Sequence, residues 1–435
     1  MKKAINIFWF RRDLRLDDNR GFYEALNGEL PVLPIFIFDT EILNKLQKQD
    51  ARVTFIYETL QNMKQILQND YQSDIALYYG KPMDVYKWLT EKYAIQTVYT
   101  NHDYEPYAIK RDQQINEYLN KQNVGFKTYK DQVIFEKDEI VKSDGTPYVV
   151  YTPYMKQWKT HFKNSTLKHY DSESNLPKLF KHLNVVNYSL SEMGFQTSSQ
   201  KIKPYTLNSD LIKNYEATRN DPALDATSRL GPHLRFGTLS IRNIISIAAA
   251  ERNEVFLQEL IWREFFMQIL WHFPNTKDQS FKPKYDRMEW RNNEAEFKAW
   301  GEGKTGYPLV DAGMRQLNQT GFMHNRVRML VGSFLCKHLL IDWRWGETYF
   351  AEKLHDYEMA SNVGNWQWVA GCGVDAAPYF RIFNPTTQIE KFDKQHQYLK
   401  KWVPEYQELS YASPIVDHKF ARERCLNVYK TALNN

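Results

Sequence analysis

The first 130 residues alternate short β-branched and aromatic runs with longer segments of helical spacing, and this alternation limits the possible folds more than any other feature. The runs lie at 4–10, 32–38, 75–79 and 97–101, and segments such as 53–67 and 83–92 between them repeat apolar residues at helical intervals. Strands separated in this way build βαβ units and a parallel sheet. Residues 1–130 are therefore expected to form a Rossmann-like α/β domain. No G-x-G-x-x-G follows the first run, so a dinucleotide site of that type is not supported. From 131 to 204 the chain turns polar and lysine-rich, with Gly145, Pro147, Pro177 and Pro204, and reads as a long interdomain linker with little internal structure. Beyond 205 the pattern is helical almost throughout, for instance at 256–270 and 313–340, which predicts an all-α C-terminal domain over 205–435. Its last segment reads as an amphipathic helix without a disordered extension.

A chain of 435 residues exceeds the usual size of one core, which agrees with two domains. The formal net charge of +5 is mild and does not by itself indicate nucleic-acid binding. Nine of the twelve tryptophans follow residue 200, so the two halves differ chemically. Cys336, Cys372 and Cys425 are odd in number and widely spaced, which argues for a reducing compartment, and the histidines make no zinc-type spacing with them. No apolar segment reaches transmembrane length and the N-terminus lacks a signal-type core. A cytoplasmic protein without membrane contact or metal is expected.

The most unusual block runs from Asp356 to Asp393, D-Y-E-M-A-S-N-V-G-N-W-Q-W-V-A-G-C-G-V-D-A-A-P-Y-F-R-I-F-N-P-T-T-Q-I-E-K-F-D. Its first half suits a helix turning about 100° per residue. Asn362 and Trp366, four apart, share a face, whereas Trp368 points the other way. Taken alone, this is also an amphipathic helix with two buried anchors. The amide on the Trp366 face, the glycines at 364, 371 and 373, and the polar run at 384–388 speak against so plain a reading.

The block resembles the flavin-binding signature of the photolyase and cryptochrome family. N-W-Q-W followed by D-A-A-P-Y-F-R-I-F-N-P-T-T-Q…K-F-D is close to the form in class I cyclobutane pyrimidine dimer photolyases. The opening F-W-F-R-R-D-L-R-L-D-D-N resembles that family's first strand and loop. The resemblance implies an α/β N-terminal domain, a helical C-terminal FAD-binding domain, FAD as cofactor and UV-damaged DNA as partner. Within the family the first domain can carry an antenna chromophore, a folate, a deazaflavin or another. Tyr104 and Glu105 match a loop of the folate site in some members, though D-Y-E-P is equally a surface turn.

Three further motifs carry site residues. The first is T-S-R-L-G-P-H-L-R-F-G-T-L-S at 227–240, preceded by Tyr215 and Arg219. Hydroxyls and amides entering a helix can cradle a phosphate, and equally they can be an ordinary cap. By resemblance, Tyr215, Thr227, Ser228, Arg229 and Leu230 bind the flavin, and Gly231 stands where the family usually has serine, so one hydroxyl is missing while a backbone N–H remains. In the second motif, spacing puts Glu259, Trp262, Arg263 and Phe266 on one helical face. A solvated Glu–Arg pair worth about 0.3–0.5 kcal/mol is the plain alternative. By resemblance Glu259 hydrogen-bonds the damaged pyrimidine and Trp262 lines its pocket. In the third, Asn325, Arg328 and Met329 share a face, and a core methionine with surface arginines explains this as well. By resemblance Asn325 and Arg328 approach the flavin, Arg328 pairs with Asp356, and Met329 touches the lesion.

The resemblance extends the flavin set to Trp262, Tyr357, Glu358 and Asn362, the last being the amide near flavin N5. It extends the DNA set to Arg219, Arg263, Arg326, Trp368 and Gln388. Trp366, Trp343 and Trp290 match the family's electron carriers, while Trp345 and Trp300 are taken as packing residues. The implied activity is light-driven splitting of a flipped-out cyclobutane dimer by one electron from excited reduced flavin, a deoxyribodipyrimidine photo-lyase reaction. A 6-4 photoproduct enzyme carries histidines at the positions of Asn325 and Met329, and this chain has neither. A plant-type blue-light receptor usually has aspartate at the position of Asn362 and lacks the Glu259/Trp262 pair, although R-W-G-E-T-Y-F at 344–350 resembles cryptochromes. Dimer repair by a monomer is the expectation, and a receptor signalling through a protein partner is the main alternative.

Overall fold

The computed structural model describes residues 3–183 and 185–434, and the chain divides into two compact units. The first comprises Met1–Glu139, Thr160–Lys203 and Leu230–Ala250, and the second comprises Ile140–Lys159, Pro204–Arg229 and Glu251–Asn435. The segment read as a linker is thus shared between the units, and 230–250 groups with the α/β unit.

The α/β unit is built on five parallel strands, β1 (Ala4–Phe10), β2 (Val32–Asp39), β3 (Ala76–Gly80), β4 (Ala94–Asn101) and β5 (Gly125–Tyr129), in the order β3-β2-β1-β4-β5. β1 and β2 are apolar and buried along nearly their whole length because helices cover both faces of a parallel sheet. Four strands coincide with the predicted runs. β5 escapes prediction because G-F-K-T-Y is a half-exposed edge strand without a buried run. Part of the former linker packs here: Leu176, Leu179, Met193 and Phe195 join Phe8, Phe22 and Phe38 in one apolar cluster. Phe180 donates its N–H to Val32 at 2.8 Å, and Leu77 on the β3 edge donates to Val186 at 2.8 Å. Isolated apolar anchors, lacking any period, hold this segment together with a short helical turn at Glu173–Lys178.

In an open sheet of this order, ligands enter where the connections diverge, between β1 and β4. Here arginines that follow β1 meet acidic side chains that follow β4 and β5. Arg11 bonds Asp112 at 2.6 Å, Arg12 lies 3.3 Å from Asp103 and 3.2 Å from Glu105, and Arg15 meets Asp131 at 2.6 Å. Glu105 also holds Arg235 at 2.9 Å, and buried Tyr104 donates to Glu136 at 2.6 Å. Both side chains matched to the folate loop are therefore engaged within the unit.

The second unit is helical. The predicted segment 256–270 is the Val255–His272 helix. The segment 313–340 is not one helix but three pieces: Pro308–Thr320, Asn325–Ser333 and a π-helical turn at Phe334–His338. Gly321, at φ +64°, ends the first piece in a conformation that a continuous helix cannot hold. Tyr151–Lys163, inside the segment read as a linker, is helical. No helix among the described residues is long and apolar enough to cross a membrane.

In the α/β unit, Lys64 on the Ala51–Tyr71 helix is buried with Asp74, donating to it at 2.6 Å and to the carbonyl of Ile75 at 2.9 Å. Asp74→Ala strands a buried ammonium and is expected to cost about 3–5 kcal/mol. Urea unfolding measures this loss, and a Lys64→Met, Asp74→Leu double variant should recover most of it.

Candidate active site

A cavity of about 370 Å³ opens in the helical unit, within the usual range for a small-molecule site. One wall is the Val255–His272 helix, which contributes Glu259, Trp262, Arg263 and Phe266, the four residues that helical spacing places on one face. A second wall is the Asn325–Ser333 helix, with Asn325, Arg328, Met329 and Gly332. The Met359–Ala370 helix supplies Ser361, Asn362, Asn365, Trp366, Trp368 and Val369, and the turn before it supplies Asp356, Tyr357 and Glu358. Trp366 is buried and Trp368 half-buried, so their environments differ as expected, but both reach the cavity.

The polar lining is held from behind. Arg328 grips Asp356 through both terminal nitrogens, at 3.2 and 2.8 Å, and its Nε donates to the carbonyl of Met323 at 2.8 Å. Arg263 meets buried Glu358 at 3.1 Å. Asn362 donates Nδ2 to the carbonyl oxygen of Glu347 at 3.1 Å and to its Oε1 at 3.0 Å. Both partners accept, so this pairing fixes the amide's orientation and leaves Oδ1 as its uncommitted acceptor. Burial raises the pKa of Glu347, and its hydrogen bonds to Asn362 and Tyr357 oppose that shift. Glu259 pairs with Arg219 at 2.5 Å on the rim.

Burial lowers the pKa of Arg326, with the charges of Arg219 and Arg381 adding to the effect. Its guanidinium lies 4.4 Å above Phe392 and bonds Asn220, while Nε is buried without a hydrogen-bond partner. Arg219, Arg326 and Arg381 therefore bring like charge together, and Glu259 pairs with the first of them. His324 caps the Asn325–Ser333 helix by accepting from the N–H of Arg326 at 3.2 Å. Burial, reinforced by Arg328, Arg326, Arg229 and Arg219, lowers its pKa from 6.5 to about 4.

Residues 6–177 match the DNA photolyase family and residues 256–410 match the FAD binding domain of DNA photolyase. The deoxyribodipyrimidine photo-lyase of Halobacterium salinarum is 34% identical over 98% of this chain and 99% of its own length. The chain belongs to the DNA photolyase family. The Escherichia coli deoxyribodipyrimidine photo-lyase is also 34% identical, over 99% of both chains. Among solved structures, a bacterial class III photolyase from Agrobacterium tumefaciens has a TM-score of 0.88 at 33% identity, covering 100% of this chain and 99% of its own. A Sulfolobus tokodaii photolyase holding two FAD molecules has a TM-score of 0.83 at 32% identity, covering 99% of this chain and all of its own. The helical unit thus carries the FAD-binding domain of a photolyase.

The cavity's chemistry fits a flat, polar-edged ring. Trp262, Phe266, Phe350, Trp366 and Val369 give apolar surface, while Arg328, Asn362, Asp356 and Tyr357 offer donors and acceptors at its edge. At Gly364 an added Cβ would lie 2.3 Å from Phe266, and at Gly332 it would lie 3.1 Å from Val369, so these walls are already in contact.

Other expected site residues stand outside this cavity. Thr227 and Ser228 are half-buried; Arg229, at φ +57°, stacks its guanidinium 3.6 Å from the Phe322 ring and meets Asp225 at 2.7 Å. Leu230 and exposed Gly231 open the Leu230–Phe236 helix, which groups with the α/β unit. Tyr215 packs edge-on against Phe256 at 5.1 Å, beneath the Arg219 guanidinium. Gln388 is half-buried on the Pro385–Phe392 helix. Trp343 and Trp366 lie inside one apolar cluster and Trp290 at its edge. Trp366 meets Trp300 at 6.2 Å, and Trp300 is wholly buried with its Nε1 donating to Val331 at 3.1 Å.

Reasoning from sequence missed Glu347, His324 and Tyr151. Glu347 offered a weak signal inside R-W-G-E-T-Y-F, and His324 offered one as the residue preceding the third motif.

Because the folded-state pKa of His324 is lowered, the unfolded chain takes up its proton first as pH falls. The stability from the neutral cap is present above pH 6.5 and is lost as pH falls toward about 4. Relative to His324→Asn, which keeps a capping oxygen, the wild type should lose about 1–2 kcal/mol between pH 7.5 and about 5 in urea unfolding.

Proposed function

We propose that this protein is a light-dependent DNA repair lyase that splits cyclobutane pyrimidine dimers with FAD as its cofactor. The observation that carries this reading is that one cavity brings Glu259 and Trp262 together with the Arg328–Asp356 pair and the oriented amide of Asn362. When bound and photoexcited in its reduced form, FAD supplies the electron that opens the cyclobutane ring.

The chain's own residues hold and select. The Arg328 guanidinium, fixed by Asp356, would favour negative charge on a ring bound in the cavity. Asn362, with Nδ2 committed to Glu347, presents Oδ1 as a neutral acceptor for an N–H and adds no charge. Glu259 accepts from the N–H groups of a pyrimidine, and Arg219, paired with it, keeps that carboxylate aimed. Trp262, Trp368 and Met329 give a dry apolar surface on which a flipped-out dimer can rest, and flipping costs less for a base pair already damaged. Arg219, Arg326, Arg381 and Arg263 attract backbone phosphates without reading sequence. Asn325, exposed and uncommitted, and Gln388 complete the DNA face.

We further propose that Trp366, Trp343 and Trp290 carry electrons for photoreduction, and that Tyr215, Thr227, Ser228, Arg229, Leu230, Gly231 and Glu358 contact the cofactor. On this reading 1–130 is an antenna-type domain, 131–204 its connection and 205–435 the catalytic domain, acting as a cytoplasmic monomer on UV-damaged DNA.

Purified protein reduced under blue light and mixed with an oligonucleotide containing one thymine dimer should restore thymine absorbance. Glu259→Ala should weaken dimer binding by about ten- to a hundredfold, the range of a hydrogen bond to a charged group. No recovery with flavin bound and reduced would sink dimer repair and promote a receptor role. Arg326→Ala should weaken damaged and undamaged DNA alike and lower the salt slope of binding by about one.

A further inference from the structure

The indole of Trp262 lines the cavity, and a ring from a distant segment backs it. Tyr151, first residue of the Tyr151–Lys163 helix, stacks on it with centroids 3.6 Å apart and planes 8° from parallel. Tyr151 itself is buried and does not line the cavity. Its hydroxyl donates to the carbonyl of Gln258 at 2.8 Å. Gln258 sits one turn before Trp262, so the tyrosine spans a single turn of the Val255–His272 helix, with its ring on Trp262 and its hydroxyl on Gln258. Its backbone N–H donates to Asp375 at 3.2 Å, which fixes the start of the helix it opens. Phe265 meets both rings edge-on, at 5.9 and 5.6 Å.

A surface indole can turn about two side-chain torsions, and a partner that stacks on it must order it first. With Tyr151 behind it, that ordering is complete before any ligand arrives. We propose that Tyr151 is a positioning residue for damage recognition, holding the plane of Trp262 so that a flipped-out dimer meets a preformed stacking surface. This inference rests on the dimer-repair reading of the cavity. Tyr151 does not line the cavity and acts through Trp262.

The test compares Tyr151→Phe, which keeps the ring and loses the bond to Gln258, with Tyr151→Leu, which keeps apolar volume and loses the flat face. Dissociation constants are measured for an oligonucleotide with one thymine dimer and for its undamaged twin, alongside FAD content and repair per absorbed photon at saturating substrate. Tyr151→Leu should lose about tenfold in dimer affinity, within the range of base–aromatic stacking. Its undamaged-DNA affinity, FAD content and repair per photon should be unchanged, and Tyr151→Phe should stay within about twofold of wild type in every readout. Tyr151→His, with a smaller flat ring, should fall between the two and carries the comparison if the leucine variant fails to fold. Unchanged dimer affinity in the variants overturns the proposal and leaves dimer repair standing. Loss of FAD, or equal weakening on both oligonucleotides, assigns Tyr151 to the fold alone and also overturns it. A wild type that does not distinguish the two oligonucleotides overturns the reading of the cavity and this inference with it.

Discussion

The helical unit depends on aromatic rings lying directly against backbone. Phe266 rests on Gly364, where a Cβ would come within 2.3 Å of its ring, and Trp366 rests on Gly346, where the gap would be 2.1 Å. Any larger residue at either glycine would push the Val255–His272 or Trp343–Lys353 helix away from the Met359–Ala370 helix. Phe266 and Trp366 both line the cavity, so these contacts set its width. Interiors packed at this density yield by shifting whole elements rather than by local give. A site that must hold reacting groups to a fraction of an ångström gains from such stiffness.

On that frame the polar groups are arranged in two tiers. Arg328, Arg263 and Asn362 face the cavity, and Asp356, Glu358 and Glu347 hold them from behind. Each facing group is therefore oriented before a ligand arrives, which reduces the ordering that binding must supply. The rim is different in kind. Arg219 and Arg381 bring like charge to Arg326, an arrangement unfavourable to the protein alone and one that, on the repair proposal, a phosphate backbone would relieve.

The sequence carried much of this. Short β-branched and aromatic runs located four of five strands, and helical spacing located the Val255–His272 helix. The edge strand β5 and the anchors Leu176, Leu179 and Phe195 bury single side chains, which leave no period to detect. Glu259, Trp262, Asn325 and Arg328 were legible as same-face sets, and their convergence came from family resemblance. Glu347 was only weakly legible, inside R-W-G-E-T-Y-F, and Tyr151 was not legible as a partner of Trp262, since each matters through one residue elsewhere in the chain and nothing local marks that pairing. The break at Gly321 was legible in principle, as a glycine after the polar N-Q-T, but the apolar spacing on both sides concealed it.

The ion pairs of the α/β unit have a practical consequence. Pairs such as Arg15–Asp131 and Arg12–Asp103 are largely removed from solvent, and dissolved ions screen buried charges far less than exposed ones. The Arg219–Glu259 pair on the rim of the helical unit is more open to the medium and is screened more readily. Ionic strength should therefore act on the two sets of charges unequally, and added salt that loosens the rim pair should leave the sheet's internal ion pairs intact.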